Sequence, residues 1–258
     1  MDIGYIIGPL LSLGMILAGV FAKGAANLIP QFINLSAFLI VIGGTFGALM
    51  VAYPLPDYIG SLKAVPKILL KNSTSNPQQI ATEIIDLAQT ARKESILALE
   101  KKREALSYEP LKAAVKLAVD GTDPNVIRDT LENEAFVQFE ETEVFVKYWE
   151  DFGAISPTIG ILGAVIGLMK VMTVLDQPEK IGPGIAVAFV ATLYGVGVAN
   201  IIAIPSGKRI KRKAMLENHL RAMVSIGIDG ILSGQNPKII EERLKVYTSH
   251  GGDDHHEG

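Results

Sequence analysis

The 258-residue sequence has no cysteine. Neither a disulfide framework nor a thiolate metal site can form. Charge is also missing from two long blocks, residues 3–55 and 152–207, which hold only a few ionisable side chains between them. Charged residues make up 20% of the chain, and almost all lie in Leu55–Asp151 and from Lys208 onward. Segregation of this kind is what two solvents impose: lipid around one set of segments, water around the other. The start of the chain lacks the basic n-region and small-residue cleavage site of a signal peptide, so its apolar run reads as a retained span.

Four apolar runs are long enough to cross a bilayer. The first, Ile3–Ala22, is uncharged and ends at Lys23; at about 1.5 Å per residue it matches a hydrocarbon core of roughly 30 Å. The second runs from about Gln31 to Tyr53 and stops at Pro54-Leu55-Pro56-Asp57. The short link Lys23–Pro30 makes these two an antiparallel hairpin. The third spans Phe152 to about Leu175 and contains Lys170. The fourth runs from Ile181 to about Gly207, after the turn Asp176-Gln177-Pro178-Glu179-Lys180.

Basic residues beside the spans set the orientation. Lys63, Lys67 and Lys71 follow span two, and Lys208, Arg209, Lys211, Arg212 and Lys213 follow span four. The opposite side offers Lys23, Lys180 and Lys170. Both termini and the large insertion are therefore expected in the cytoplasm. The KRIKRK run reads as a membrane anchor beside lipid, not as a nucleic-acid patch.

The insertion reads as helical throughout. Asn76-Pro77 starts a helix on which Ile80, Ile84, Leu87, Ala88 and Ala91 recur at helical spacing. Arg92, Lys93, Glu94, Glu100, Lys101, Lys102, Arg103 and Glu104 are expected on the same helix. Asp120-Gly121 is a stop, and Asp123-Pro124 caps a helix that continues without a breaker past Trp149 into span three. Tyr148, Trp149 and Phe152 stand where an interfacial aromatic belt belongs. A further amphipathic segment is expected over Ala214 to about Ser233, and Gly234-Gln235-Asn236-Pro237 introduces a last helix, Lys238–Tyr247. The polar tail from His250 to Gly258 reads as disordered. His255 and His256 beside acids suggest metal binding less than they suggest a solvated end.

No Asp, Glu or His lies within any span. Proton paths through lipid depend on an intramembrane ionisable group, so ion movement here requires an acid from another chain. Lys170, near the outer end of span three, is placed to snorkel to water. Gly160/Ala164 and Gly163/Gly167 stand at four-residue spacing, which gives span three a face for close helix approach. Pro157 and Pro205 each remove a backbone donor and favour a bend.

Several local stretches resemble one family. They are Ala91-Arg92-Lys93 with Leu97-Ala98-Leu99-Glu100; Leu117-Ala118-Val119-Asp120-Gly121; Pro157-Thr158-Ile159-Gly160 leading to Gly163-Ala164-Val165-Ile166-Gly167-Leu168; Ile181-Gly182-Pro183 with Ala191-Thr192-Leu193-Tyr194-Gly195; and Gly234-Gln235-Asn236-Pro237. With the order of two spans, helical insertion, two spans and basic tail, the chain resembles the A subunit of the bacterial flagellar stator, the MotA/PomA type of the MotA/TolQ/ExbB proton channel superfamily. The resemblance covers all but the last eight or so residues.

The resemblance implies an all-α polytopic protein of the bacterial inner membrane that generates torque and is not an enzyme. It implies regions at 1–55, 56–151, 152–207, 208–249 and 250–258: two spans, a rotor-facing insertion, two spans, amphipathic helices and a tail. Arg92 and Glu100, with Lys93 and Lys101 beside them, fall at positions that face the rotor switch protein of the FliG type; eight residues apart, Arg92 and Glu100 would sit on neighbouring faces of one helix. Pro157 and Pro205 match prolines linked to conformational change, while Thr158, Ala164 and Thr192 fall along the ion path. Sodium-driven members tend to carry threonine where Ala164 stands, so alanine favours a proton over Na⁺. The implied partner is a MotB/PomB-type single-span, peptidoglycan-binding subunit whose aspartate enters the pore, with several A subunits around a dimer of it. No cofactor, metal or nucleic acid is implied.

Other readings are weaker on the residues. ExbB/TolQ-type energisers have three spans with the insertion after the first, whereas two spans precede it here; a stator-type proton channel serving something other than a flagellum would share this motor core and is the other alternative. A substrate transporter would carry a polar mid-membrane pocket or matched broken helices. An enzyme would need a nucleophile, base or metal-ligand constellation that no segment offers.

Overall fold

A computed structural model describes residues 3–24, 29–30, 32–70 and 75–249. The expected start of span two at Gln31, the basic Lys71 and the tail with His255 and His256 lie outside the described residues. Every regular element among the described residues is helical, and four helices are long and apolar enough to cross a membrane. The chain divides into two compact units, 1–72 with 142–211 and 73–141 with 212–258. Two long helices contribute residues to both. Each unit is considered by itself.

In the first unit, α1 (Ile3–Ala22) buries none of its side chains. A predominantly apolar helix of this length with so little protein cover needs lipid as its solvent. Tyr5 is anchored: its hydroxyl lies 2.8 Å from Ser206 Oγ, with the Arg209 guanidinium 6.0 Å from the ring centroid. Gly24, at φ +66°, ends the helix in the left-handed region that suits glycine.

Span two is α2 (Leu35–Phe38), a π turn at Leu39–Gly43 and α3 (Gly44–Ala52). Asn34 caps it, its Oδ1 accepting from Ala37 N at 2.9 Å. Tyr53 is extended and Pro54 cannot continue the ladder, so a new helix, α4 (Leu55–Ala64), begins there and widens into a π turn at Val65–Leu69.

Span three is the membrane half of α8 (Pro124–Met172), which runs for 49 residues without a break and so bears out the jointless helix expected from the sequence. Span four begins as α9 (Pro178–Val198), passes a π turn at Ala199–Ala203 and continues as α10 (Ile204–Leu232). Helical hydrogen bonding does not stop at the basic run, so the separate amphipathic segment expected from Ala214 is the C-terminal part of α10. The π turn lies directly ahead of Pro205. Widening the turn there accommodates a residue that lacks an N–H and crowds the carbonyl four residues back.

The aromatic belt is the clearest departure. Tyr148 is 0%, Trp149 7% and Phe152 2% exposed. They form a core with Leu49, Tyr58, Leu69, Val146 and Ile210. Trp149 Nε1 donates to Ser61 O at 3.2 Å, and edge-on rings link Phe46 to Phe152 and Tyr53 and Tyr58 to Tyr148. Helix α4 supplies the cover that makes them core, where a belt would face lipid.

In the second unit, α5 (Pro77–Lys93) starts under the Asn76 cap, whose Oδ1 accepts from Gln78 N at 2.9 Å. Its stripe of Ile80, Ile84, Leu87 and Ala88 is buried. After a 3₁₀ turn and α6 (Glu100–Arg103), α7 (Glu109–Val119) adds Leu111, Ala114, Val115 and Ala118 to the core. Gly121 at φ +75° closes α7, and Asp123 Oδ1 caps α8 by accepting from Asn125 N at 2.8 Å. The last helix, α11 (Pro237–Ser249), follows Gly234 at φ +65°. Ile240 and Leu244 bring it into the cluster formed by Leu220, Met223, Val224 and Ile228 of α10.

Candidate functional site

Within the spans, several hydroxyls turn back onto their own helix. Thr45 Oγ1 donates to Val41 O at 2.6 Å, Thr158 Oγ1 to Ile155 O at 2.6 Å, and Thr192 Oγ1 to Ala188 O at 3.3 Å. Ser156 differs. It is fully buried, and its Oγ reaches across to the Gly195 carbonyl of α9 at 2.9 Å. Tyr194 OH donates to Phe32 O and accepts from Asn34 N at 3.2 Å, which satisfies backbone groups left open where span two begins. Lys170 is exposed in the last turn of α8.

Spans three and four meet backbone to backbone. A Cβ on Gly160 would lie 3.0 Å from Ala191 O and 3.4 Å from Thr192 Cα; one on Gly167 would lie 2.9 Å from Ala188 N. A Cβ on Gly195 would come 2.6 Å from Ser156 O and 3.1 Å from Pro157 Cα. Glycines on both helices therefore let the two backbones touch, as the spacing in span three predicted. Gly163 belongs to this face, whereas Ala164 is only half-buried beside it.

Pro157 and Thr192 are thus brought to one contact, together with Ser156, Gly160 and Gly195. Thr158 is exposed on the side of α8 away from that contact, and Pro205 is exposed below the π turn. Ser156, Tyr194 and the π turn escaped the sequence reading. Tyr194 lies in the Ala191–Gly195 stretch, but nothing local signals that its partners are on span two.

The charged end of α5 is not what sequence periodicity implied. The helix ends at Lys93, Glu94 N bonds Thr90 O at 2.9 Å, and Ser95 is extended before a 3₁₀ turn at Ile96–Leu99. A continuous helix would carry the buried stripe onto Glu94, Ser95 and Lys102. Breaking it instead turns Leu99 and Leu106 into the core, where they are 0% and 8% exposed. Arg92 and Glu100 consequently stand on different helices, both exposed.

Side chains of α5 hold α6 in place. Lys102 Nζ meets Asp86 Oδ2 at 2.6 Å, and the Glu83 carboxylate accepts from Ser107 N at 3.2 Å. Glu100 Oε1 is paired with Arg103 Nη2 at 3.0 Å, whereas Arg92, Lys93 and Lys101 form no ion pair among the described residues. Lys208, Arg209, Lys211, Arg212 and Lys213 all lie on α10.

A model of the MotA/TolQ/ExbB proton channel family matches residues 101–223. The chain is 36% identical over 252 residues to motility protein A of Aquifex aeolicus, covering 95% of this chain and 96% of that protein. It is 35% identical over 241 residues to motility protein A of Bacillus subtilis, covering 92% of this chain and 85% of that protein. The chain belongs to the MotA/PomA flagellar stator family. The solved structure of C. jejuni MotAB superposes with a TM-score of 0.90 at 31% identity, covering 100% of this chain and 99% of that one.

MotA/PomA proteins are channel proteins and not enzymes, in agreement with the absence of a catalytic constellation from the sequence reading. The four long apolar helices, two of them ahead of the helical insertion, have the MotA/PomA order and not the three-span order.

Proposed function

We propose that this chain is the torque-generating A subunit of a flagellar stator, which forms a proton channel with a single-span, peptidoglycan-binding partner of the B type. The observation that carries the reading is a full set of channel-family spans with no Asp, Glu or His inside any of them. A proton cannot be taken up at depth without a titrating group, so the acid belongs to the partner. Several copies of the chain surround a dimer of that partner, in the bacterial inner membrane with both termini cytoplasmic. The basic residues from Lys208 to Lys213 support that orientation.

Protonation of the partner's carboxylate removes a charge from a low-dielectric channel and changes which helix packing is most stable. The places that can respond are the bend-prone Pro157 within the continuous α8 and the π turn with Pro205 in span four. Both helices continue into the second unit, where Arg92, Lys93, Glu100 and Lys101 meet the rotor switch protein. Glu100 must exchange its Arg103 partner for a rotor cation, whereas Arg92 is free to pair at once. Each contact is exposed, screened and worth about 0–1 kcal/mol, so torque rests on several of them.

Alanine at position 164 offers no hydroxyl there to coordinate a partly dehydrated Na⁺, which favours the proton. In cells lacking their own A and B subunits, this chain with its partner should restore swimming whose speed follows the proton gradient. Speed that instead tracks external sodium reverses the ion assignment, and absence of swimming with both proteins in the membrane counts against the stator reading.

A further inference from the structure

Asn200 is a polar residue that the mechanism above does not use. It is the second residue of the π turn Ala199–Ala203 and is exposed. Its Nδ2 donates to Val196 O at 2.9 Å, which occupies a carbonyl one turn back. Its second amide N–H and its Oδ1 have no partner among the described residues. Eight residues, about 12 Å of helix, separate it from Lys208 at the start of the basic run.

A threonine hydroxyl satisfies itself on its own helix, as Thr158 and Thr192 do. A carboxamide has two donors and an acceptor and cannot close them all that way. Facing lipid at this depth, the open amide would be left without hydrogen bonds, which is costly. Val196 and Leu193, on the same side of α9, are exposed and apolar. Asn200 is therefore the fixed two-way hydrogen-bonding group on that face, and a π turn places it there.

We propose that Asn200 faces the ion path and holds the water that passes the cation between the partner's carboxylate and the cytoplasm. This rests on the stator reading, since it takes the acid to be the partner's. The carboxamide donates to one water and accepts from another without ionising, which keeps a water chain connected through an otherwise apolar stretch.

The cysteine-free chain suits a direct test. Asn200→Cys is co-expressed with the B-type partner and treated with a small hydrophilic methanethiosulfonate, with Met15→Cys in the middle of α1 as the lipid-facing reference. The thiol at position 200 should react readily and the one at position 15 should not. In parallel, Asn200→Leu should cut proton flux roughly tenfold, the loss of one hydrogen bond of about 1.4 kcal/mol, with Asn200→Gln recovering part of it. A thiol at position 200 as inert as the reference, because lipid or a second copy of this chain covers it, overturns the inference. So does wild-type flux in a well-inserted Asn200→Leu complex. Absence of flux from the wild-type pair would strike the stator reading instead, and the thiol reaction would still decide where Asn200 faces.

Discussion

Gly195→Ala is the sharpest perturbation that the span packing allows. The added Cβ would stand 2.6 Å from Ser156 O, 3.1 Å from Pro157 Cα and 3.2 Å from Gly160 Cα. All three are backbone atoms, so no side chain can swing aside. Restoring ordinary contact requires α8 to retreat by about 0.8 Å, and close-packed helices resist such a shift. Overpacking of this size costs about 1–3 kcal/mol. Retreat also stretches the Ser156-to-Gly195 hydrogen bond beyond 2.9 Å, at a further cost of about 1 kcal/mol.

The expected total is about 2–4 kcal/mol. Gly197→Ala is the control, because nothing lies within 4 Å of its added methyl and the helix gains propensity. The assay is thermal unfolding of the purified stator complex in detergent, with membrane abundance and proton flux measured alongside. Gly195→Ala should melt clearly below both wild type and Gly197→Ala and should conduct poorly. Indistinguishable melting of the two alanine variants would refute the account of the α8–α9 contact.

Arg92→Glu combined with Glu100→Lys should impair swimming while membrane abundance stays normal, and either change alone should do less because the contacts are redundant; full motility of the double variant in soft agar would remove rotor contact from these residues. Alkaline stability should report on Tyr108. Burial, and then the 2.7 Å hydrogen bond it donates to Glu217, hold its hydroxyl neutral well above the ordinary value of 10.0. Its folded pKa is raised, so its contribution is fully present below about pH 10 and is lost as pH rises further, where the unfolded tyrosine ionises first. Thermal stability should fall above that pH, and Tyr108→Phe should flatten the fall; an unchanged slope in the variant would show that this hydroxyl is not responsible.

Features with a local cause were legible in the sequence. Asn76, Asp123 and Asn236 act as caps because each side chain reaches a backbone N–H two residues on, and glycines at 121 and 234 mark left-handed turns. The spans were readable because apolar length alone requires lipid. Partner-dependent features were not. Trp149 and Tyr148 resemble interface anchors until α4 is known to cover them. Arg92 and Glu100 share helical spacing, but the demand that Leu99 enter the core breaks the helix between them. The prolines were visible, whereas the π turn ahead of Pro205 was not, since it is a response of the backbone and has no residue signature of its own.

Proton flux into sealed vesicles tests the borrowed acid most directly. Vesicles holding this chain alone, the chain with its partner, or the chain with a partner whose span aspartate is replaced by asparagine should differ in one way only: the intact pair conducts. Sustained flux from the chain by itself would contradict the account.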